Sequence, residues 1–279
     1  SLWVNNTDYI SYEGVRLYKA GTTWDHNFGD AGLFYHEDKS ALRVGSHNNA
    51  SADEANVGSL SFGIGSSVIA SGDRSFAMGS SSVASADDAF AFGTSTASGA
   101  RAIAMGNGAQ ATAGDSVAMG SSTQATQLFA VALGRSTVAS NNSSFAVGNG
   151  STASGVTSAA IGFGSAASGN YSLATNYNTV AGGANSVAMG RASKTIGTTS
   201  FAFGEGVVAQ GIYSAIIGLD STVSGTTVTD ARTMAIVGGE VAINKTSANS
   251  ELDVSGTVTA TSFVGDGTSL TGVVATPAG

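Results

Sequence analysis

Ser75-Phe-Ala-Met-Gly-Ser-Ser-Ser-Val-Ala-Ser-Ala-Asp-Asp88 is one copy of a unit that recurs from about Ser61 to Gly238. The glycine closing each apolar run sets the register: Gly65, Gly79, Gly93, Gly106, Gly120, Gly134, Gly148, Gly162, then Asn176, Gly190, Gly204, Gly218 and Gly238. The steps are of 14 residues, except for one of 13 between Gly93 and Gly106 and a last one of 20. A fixed period of this kind defines a repeat architecture before any single motif is weighed.

Positions are numbered from the reference glycine as 0. Positions −3 and −1 are large, as in Phe62/Ile64, Phe76/Met78, Phe90/Phe92, Ile103/Met105, Val117/Met119, Val131/Leu133, Phe145/Val147, Val187/Met189 and Phe201/Phe203. Position −2 is small: Ala77, Ala91, Ala104, Ala118, Ala132, Ala146, Ala160, Ala174, Ala188 and Ala202. Alternation of this kind marks a strand, because successive side chains point to opposite faces. A second small column lies at +5, from Ala70 and Ala84 to Ala209. Glycines at +7, such as Gly72, Gly155, Gly169, Gly183, Gly197 and Gly211, together with Gly225, predict a second corner with positive φ. Each copy therefore reads as two short strands and two tight corners, with the alanine columns facing each other across a narrow interior.

The large columns then point outward as a continuous apolar ribbon. Full burial of a large apolar side chain is worth about 1.5–3 kcal/mol, and exposed ribbons of this extent mark interfaces. The expectation is an obligate oligomer whose interface includes Phe62, Phe76, Met78, Phe90, Phe92, Met105, Met119, Leu133, Phe145, Met189, Phe201 and Phe203. The alternative, large residues inside and alanine outside, leaves the second alanine column unexplained. At about 4.8 Å per stacked strand, 13 coils give a rod of roughly 60 Å.

Residues 1–60 read as a β-rich N-terminal cap or adaptor, residues 61–240 as the array with an insertion at about 221–232, and residues 241–279 as a C-terminal β segment. Both Trp, all three His and four of the seven Tyr fall in the first segment. A solenoid end exposes a sheet edge that an atypical unit must cover. Alternation predicts a short hairpin around Gly14, strands at Gly32-Leu-Phe-Tyr35 and at Ala41-Leu-Arg-Val-Gly45, and short strands with hairpins after Glu240, helped by the Gly265-Asp-Gly267 turn.

Composition excludes several classes. The net charge is −8, with only 11 Lys and Arg among 279 residues and no basic stripe, so nucleic-acid phosphates are not the expected partner. There is no cysteine, hence no disulfide framework or thiolate metal site. No stretch of eighteen consecutive apolar residues and no export signal is present, so no membrane insertion by this chain is expected.

The unit Ser-x-Ala-Met-Gly, seen in Ser116-Val-Ala-Met-Gly120 and Ser186-Val-Ala-Met-Gly190, resembles the head repeats of trimeric autotransporter adhesins. That resemblance covers about two thirds of the chain and implies an all-β, left-handed parallel β-roll (solenoid) of about 13 coils, homotrimeric and capped by small β-rich segments. Residues 32–45, with Ala55-Asn-Val-Gly-Ser-Leu-Ser-Phe-Gly63, look like the lead-in before such repeats in bacterial and phage fibre proteins. Residues 252–272 are similar to the segment preceding the self-cleaving, endosialidase-type chaperone of tail fibres. Together these resemblances imply an extracellular attachment fibre on a virion tail or a cell-surface appendage, with a glycan or protein receptor. The alternative is the head of an autotransporter-like bacterial adhesin, although no heptad stalk, neck or membrane-barrel segment is found in this chain. An ice- or surface-binding solenoid predicts an ordered Thr column, whereas the outer column at +4 is mixed, with Val83, Gln110, Gln124, Val138, Thr152 and Lys194.

No catalytic, cofactor or metal residue is assigned, and the chain is not expected to be an enzyme. Gly162-Phe-Gly-Ser-Ala-Ala167 matches a relaxed dinucleotide pattern but reads as one more coil. The array's serines have no histidine to activate them. His26 and His36 with Asp25, Asp30, Glu37 and Asp38 fit no standard metal spacing. Asp73, Asp87, Asp88 and Asp115 lie at turns, where aspartate is locally favoured.

Overall fold

The computed structural model describes residues 11–12, 15–16, 31–36, 38–46, 54–244, 252–255 and 257–258. The chain divides into two compact units, Ser1–Gly238 and Gly239–Gly279. No α-helix occurs among the described residues.

The first unit is a parallel β-solenoid of about 11 turns. A typical copy contributes the strands Phe76–Ser80 and Val83–Ala84, and each strand pairs in parallel with its counterpart in the next copy: Phe76 lies opposite Phe90, Ala77 opposite Ala91 and Met78 opposite Phe92. The count of turns is slightly lower than the 13 copies read from the sequence.

Both alanine columns are interior: Ala77, Ala84, Ala104, Ala111, Ala132, Ala139, Ala188 and Ala209 are fully buried. Two further interior columns consist largely of Ser and Thr. Position +3 holds Thr123, Thr137, Ser165, Thr179 and Ser193; position −4 holds Ser75, Ser116, Ser144, Ser158, Ser186 and Ser200. The −4 serines close the second corner: Ser158 Oγ donates to Gly155 O at 2.8 Å and Ser200 Oγ to Gly197 O at 2.6 Å. A buried hydroxyl is normally partnered, and a carbonyl three residues back serves in these coils without widening them; the Ser75 and Ser172 hydroxyls are buried without a partner among the described residues.

The reference glycines from Gly65 to Gly204 adopt φ of +101° to +131°. A Cβ on Gly134 would lie under 3.0 Å from the carbonyl oxygen of Gly148, so both conformation and stacking demand glycine there. The +7 glycines differ from expectation: Gly72, Gly155 and Gly183 do not have positive φ. They are glycines because a Cβ would meet the backbone of the next coil. The left-handed residue of that corner lies two positions later, at Arg74, Asp88, Arg101, Asp115, Phe129, Tyr171 and Tyr213, with φ of 56–59°.

The short copy also has a structural reason. Ser81 (φ 55°) and Gly108 (φ 68°) form the first corner of their coils, and the copy between them lacks that residue. Its two strands merge into Phe90–Ala97, which pairs with the merged strand Ile103–Ala111 through a register shift between Asn107 and Gln110.

At the N-terminal end, Ala41–Ser46 stacks in parallel on Phe62–Ser66, so strand stacking begins inside the segment read as a cap. Ala31–His36 covers it from outside as an antiparallel neighbour. Ser11–Tyr12 and Val15–Arg16 pair antiparallel, as the hairpin reading required. Arg43 occupies the inner −2 position, 4% exposed. Its Nη2 donates to Ser61 Oγ and Ala70 O, both at 2.9 Å, and its Nη1 to Leu42 O at 3.0 Å. Burial pushes its pKa down to about 10. The facing −2 residue is Gly63, where an added Cβ would sit 2.8 Å from Arg43 Cδ.

At the other end the interior fills with larger groups, Val207, Ile216 and Val228, packed with Val223, Ala235 and Val237. The added residues form a 3-10 turn, Ser221–Val223, capped by Asp220, whose Oδ1 accepts from Thr222 N at 2.9 Å. The final strand corrects the register: Gly218 lies opposite Val237, one residue before Gly238. The last step is therefore 19 residues, and Met234–Val237 pairs with no later strand among the described residues, so no following carbonyl forbids a Cβ at Val237.

In the second unit, Val241–Ile243 pairs with Leu252–Val254 in parallel, where the alternation suggested hairpins. The Gly265–Gly267 turn and the final residues lie outside the described set.

Candidate interaction surface

The outward face of the long strands carries two in-register columns. At −3, Phe62, Phe76 and Phe90 form a ladder with ring centroids 5.3 and 4.9 Å apart, a spacing that stacked aromatic neighbours favour. At −1, Ile64, Met78, Phe92, Met105, Met119 and Leu133 follow one another from coil to coil. All twelve residues expected at an interface point outward in these columns. Phe62, Phe76, Met78, Phe90, Met105, Leu133, Met189 and Phe201 are half-buried, whereas Phe92, Met119, Phe145 and Phe203 are exposed by 38–45%. No Phe, Met, Leu or Tyr is buried among the described residues; the largest fully buried side chain is Ile216. The roll thus buries small residues and leaves its large apolar ones accessible.

Charged groups lie mainly on the corners and beside the ribbon. Arg74 pairs with Asp88 and Arg101 with Asp115, each at 2.7 Å and each one repeat apart, and Arg191 pairs with Glu205. The hydrogen bonds from Arg74 and Arg101 hold the Asp88 and Asp115 carboxyls below their ordinary range. Asp73, Asp87 and Asn170 do local work at the second corner: each accepts the backbone N–H of the equivalent residue in the preceding coil, Ser59, Asp73 and Val156, at 2.9–3.0 Å. The pairings follow from charges placed one period apart, a signal present in the sequence and not used above.

The remaining chemical candidates have ordinary settings. Residues 162–167 fold as a coil, with strands Ala159–Phe163 and Ala166–Ala167. His36 is buried under the first coil and Asp38 is exposed; the other acidic and histidine candidates of that group lie outside the described residues. Among the described residues no group of three His, Cys, Asp or Glu could hold a metal ion. Among the described residues no helix is long and apolar enough to cross a membrane.

A stack of 14-residue coils with small residues inside and an apolar ribbon outside defines a β-roll. Residues 70–96, 97–123, 125–151, 153–175 and 181–206 match the model of the YadA head domain repeat (2 copies). Each match spans about two coils, and this part of the chain is built of YadA head domain repeats, those of an autotransporter adhesin head. No curated protein matches the chain.

Proposed function

We propose that the chain is the head of a homotrimeric, cell-surface attachment fibre of the autotransporter-adhesin kind, in which three rolls pack their apolar ribbons together and the remaining faces meet a receptor. One observation carries this reading: the unit buries alanine and serine and leaves every Phe, Met and Leu among the described residues at least partly accessible. Residues of that size contribute about 1.5–3 kcal/mol each on full burial, and a second and third copy provide that burial. The roll carries no catalytic group in this reading and acts by display. Replacing Phe90 and Phe203 with Asp tests it. Wild-type protein is expected to show three times the chain mass by light scattering and the double variant to dissociate or unfold; an unchanged mass and melting temperature in the variant refute the interface.

The likeness of residues 252–272 to the segment before a tail-fibre chaperone favours a second reading, a virion tail fibre. Expression of the full gene product separates the two. A self-cleaved, soluble fibre supports the virion, and retention in an outer membrane supports the adhesin.

A further inference from the structure

The column at +1, beside the apolar ribbon, is mostly polar, as at Ser80, Thr94, Asn107 and Ser121. Two successive coils, at Phe163 and Tyr177, depart from this. Arg135 lies opposite Asn149, Asn149 opposite Phe163, and Phe163 opposite Tyr177. The two rings stack at 5.2 Å with an 8° angle, yet stay 49% and 42% exposed. A polar column is not where a packed interface is expected, so these rings answer to something other than the ribbon.

Arg135 departs from the array in another way. Arg74, Arg101 and Arg191 each meet an acid 14 residues on, but Arg135 meets Asn149 and has no ion-pair partner among the described residues. Its guanidinium stays exposed and uncompensated on a chain of net charge −8. Between Arg135 and Phe163 stands only the short Asn149, followed by Gly150, around which a Cβ would meet nothing within 4 Å. Arg135, Asn149 and Phe163 thus lie in line over two strand spacings, about 10 Å, with a cation at one end, an aromatic ring at the other and an amide between. Next to Tyr177, Asn176 replaces the reference glycine and holds φ 95°, a strained conformation of the sort retained at functional positions.

We propose that Arg135, Asn149 and Phe163 form a binding site for a carboxylated sugar, a uronic or sialic acid unit of a surface glycan. Arg135 takes the carboxylate through its planar fork of donors, Phe163 packs against the apolar edge of the sugar ring, and Asn149 bonds a hydroxyl. This deepens the adhesin reading by naming the receptor chemistry. A neutral sugar leaves the arginine unused.

The test is titration of the assembled protein, by calorimetry or saturation-transfer NMR, with methyl β-glucuronide, the methyl glycoside of N-acetylneuraminic acid and, as the neutral control, methyl β-glucoside. At least one acidic sugar is expected to bind about tenfold or more tightly than the neutral one, the range of a charge-assisted hydrogen bond; which of the two binds distinguishes uronic from sialic acid. Arg135→Ser should abolish that preference, Arg135→Lys retain part of it, and Phe163→Ser weaken binding of every sugar about tenfold. Because the column accepts serine at Ser121, the mass should not change in either serine variant, nor the melting temperature in Arg135→Ser. Equal binding of acidic and neutral sugars, or acidic-sugar binding unaltered in Arg135→Ser, overturns the site, as does no binding of any of the three at millimolar concentration. Cell attachment unchanged in Arg135→Ser also overturns it as the receptor site while leaving the adhesin reading intact; loss of the trimer mass in wild-type protein strikes that wider reading and leaves the sugar titration to decide the site.

Discussion

Exchanging Arg43 and Gly63 for alanine, singly and together, probes how the solenoid is started. Arg43 fills the inner column that alanine fills elsewhere, and Gly63 gives up its Cβ to make room. Lowering the guanidinium to about 10 by burial corresponds to a cost on the order of 3 kcal/mol. Against this stand three hydrogen bonds, each about 1.5–3 kcal/mol when one partner is charged. The bonded oxygen of Ala70 keeps the backbone N–H of Gly58 as a second donor at 2.8 Å, so removing the arginine does not leave it bare. The Arg43 Nε is buried without a partner among the described residues, which costs about 1–3 kcal/mol more, so the polar contributions largely offset one another and packing decides the outcome. Arg43→Ala empties a space that Gly63 cannot fill, for about 2 kcal/mol. Gly63→Ala drives a methyl against Arg43 Cδ and costs about 1–3 kcal/mol. The double variant restores the alanine-on-alanine contact of the later coils and should recover about 2 kcal/mol relative to the sum. Guanidinium unfolding of the four proteins at one fixed concentration, since assembly shifts apparent stability, measures the coupling. Additivity within about 0.5 kcal/mol refutes the idea that the two residues are a matched pair.

Further outcomes follow from the corners and the charges. Gly134→Ala forces a Cβ onto the carbonyl of Gly148 and should lower stability by on the order of 3 kcal/mol, visible as a fall in melting temperature. Asn176→Gly releases a strained φ and should raise stability by about 1 kcal/mol; a fall in the melting temperature would count against strain at that position. Acid should weaken the fold. With folded pKa values depressed at Asp88, Asp115 and Asp220, the unfolded chain takes up protons first, so these groups contribute above the ordinary carboxyl range and cease to as pH falls through their folded values. Melting temperatures should hold level from about pH 5 to pH 8 and decline below about pH 4, modestly because these groups are exposed.

The repeat's inner and outer faces could be read from alternation because Ala77, Ala84 and their equivalents differ so sharply in size from Phe76 and Met78. The other two inner columns were hidden by chemistry: Thr137 and Ser186 are polar, and polarity normally argues for the surface. The Ser186 hydroxyl is held by a local partner, Gly183 O, that a size pattern does not display, and the Thr137 hydroxyl is buried with no hydrogen-bond partner among the described residues. The left-handed corner was hidden because Arg74, Phe129 and Tyr171 have nothing in common except their place in the turn. Gly238 misled the register because the end of a stack relaxes the demand that made every earlier reference residue glycine or asparagine. Arg43 was quoted as part of a strand, but that its side chain points inward follows only from its register with Gly63. In the candidate sugar site, the free arginine becomes evident only once Arg135, Asn149 and Phe163 are known to lie side by side.

The missing corner residue between Ser81 and Gly108 bears on how such a rod tolerates change in length. The loss removes a bend and no strand position, so Thr96 still stands between Val83 and Gln110 and Ala97 between Ala84 and Ala111. Every coil before and after it keeps the same azimuth around the axis. A deletion inside a strand would instead rotate all later columns to a new bearing and aim half of the apolar ribbon away from its partner. Corners are therefore where this lineage of repeats can lose or gain residues, as it did again with the turn at Ser221–Val223, while its faces stay in line from end to end.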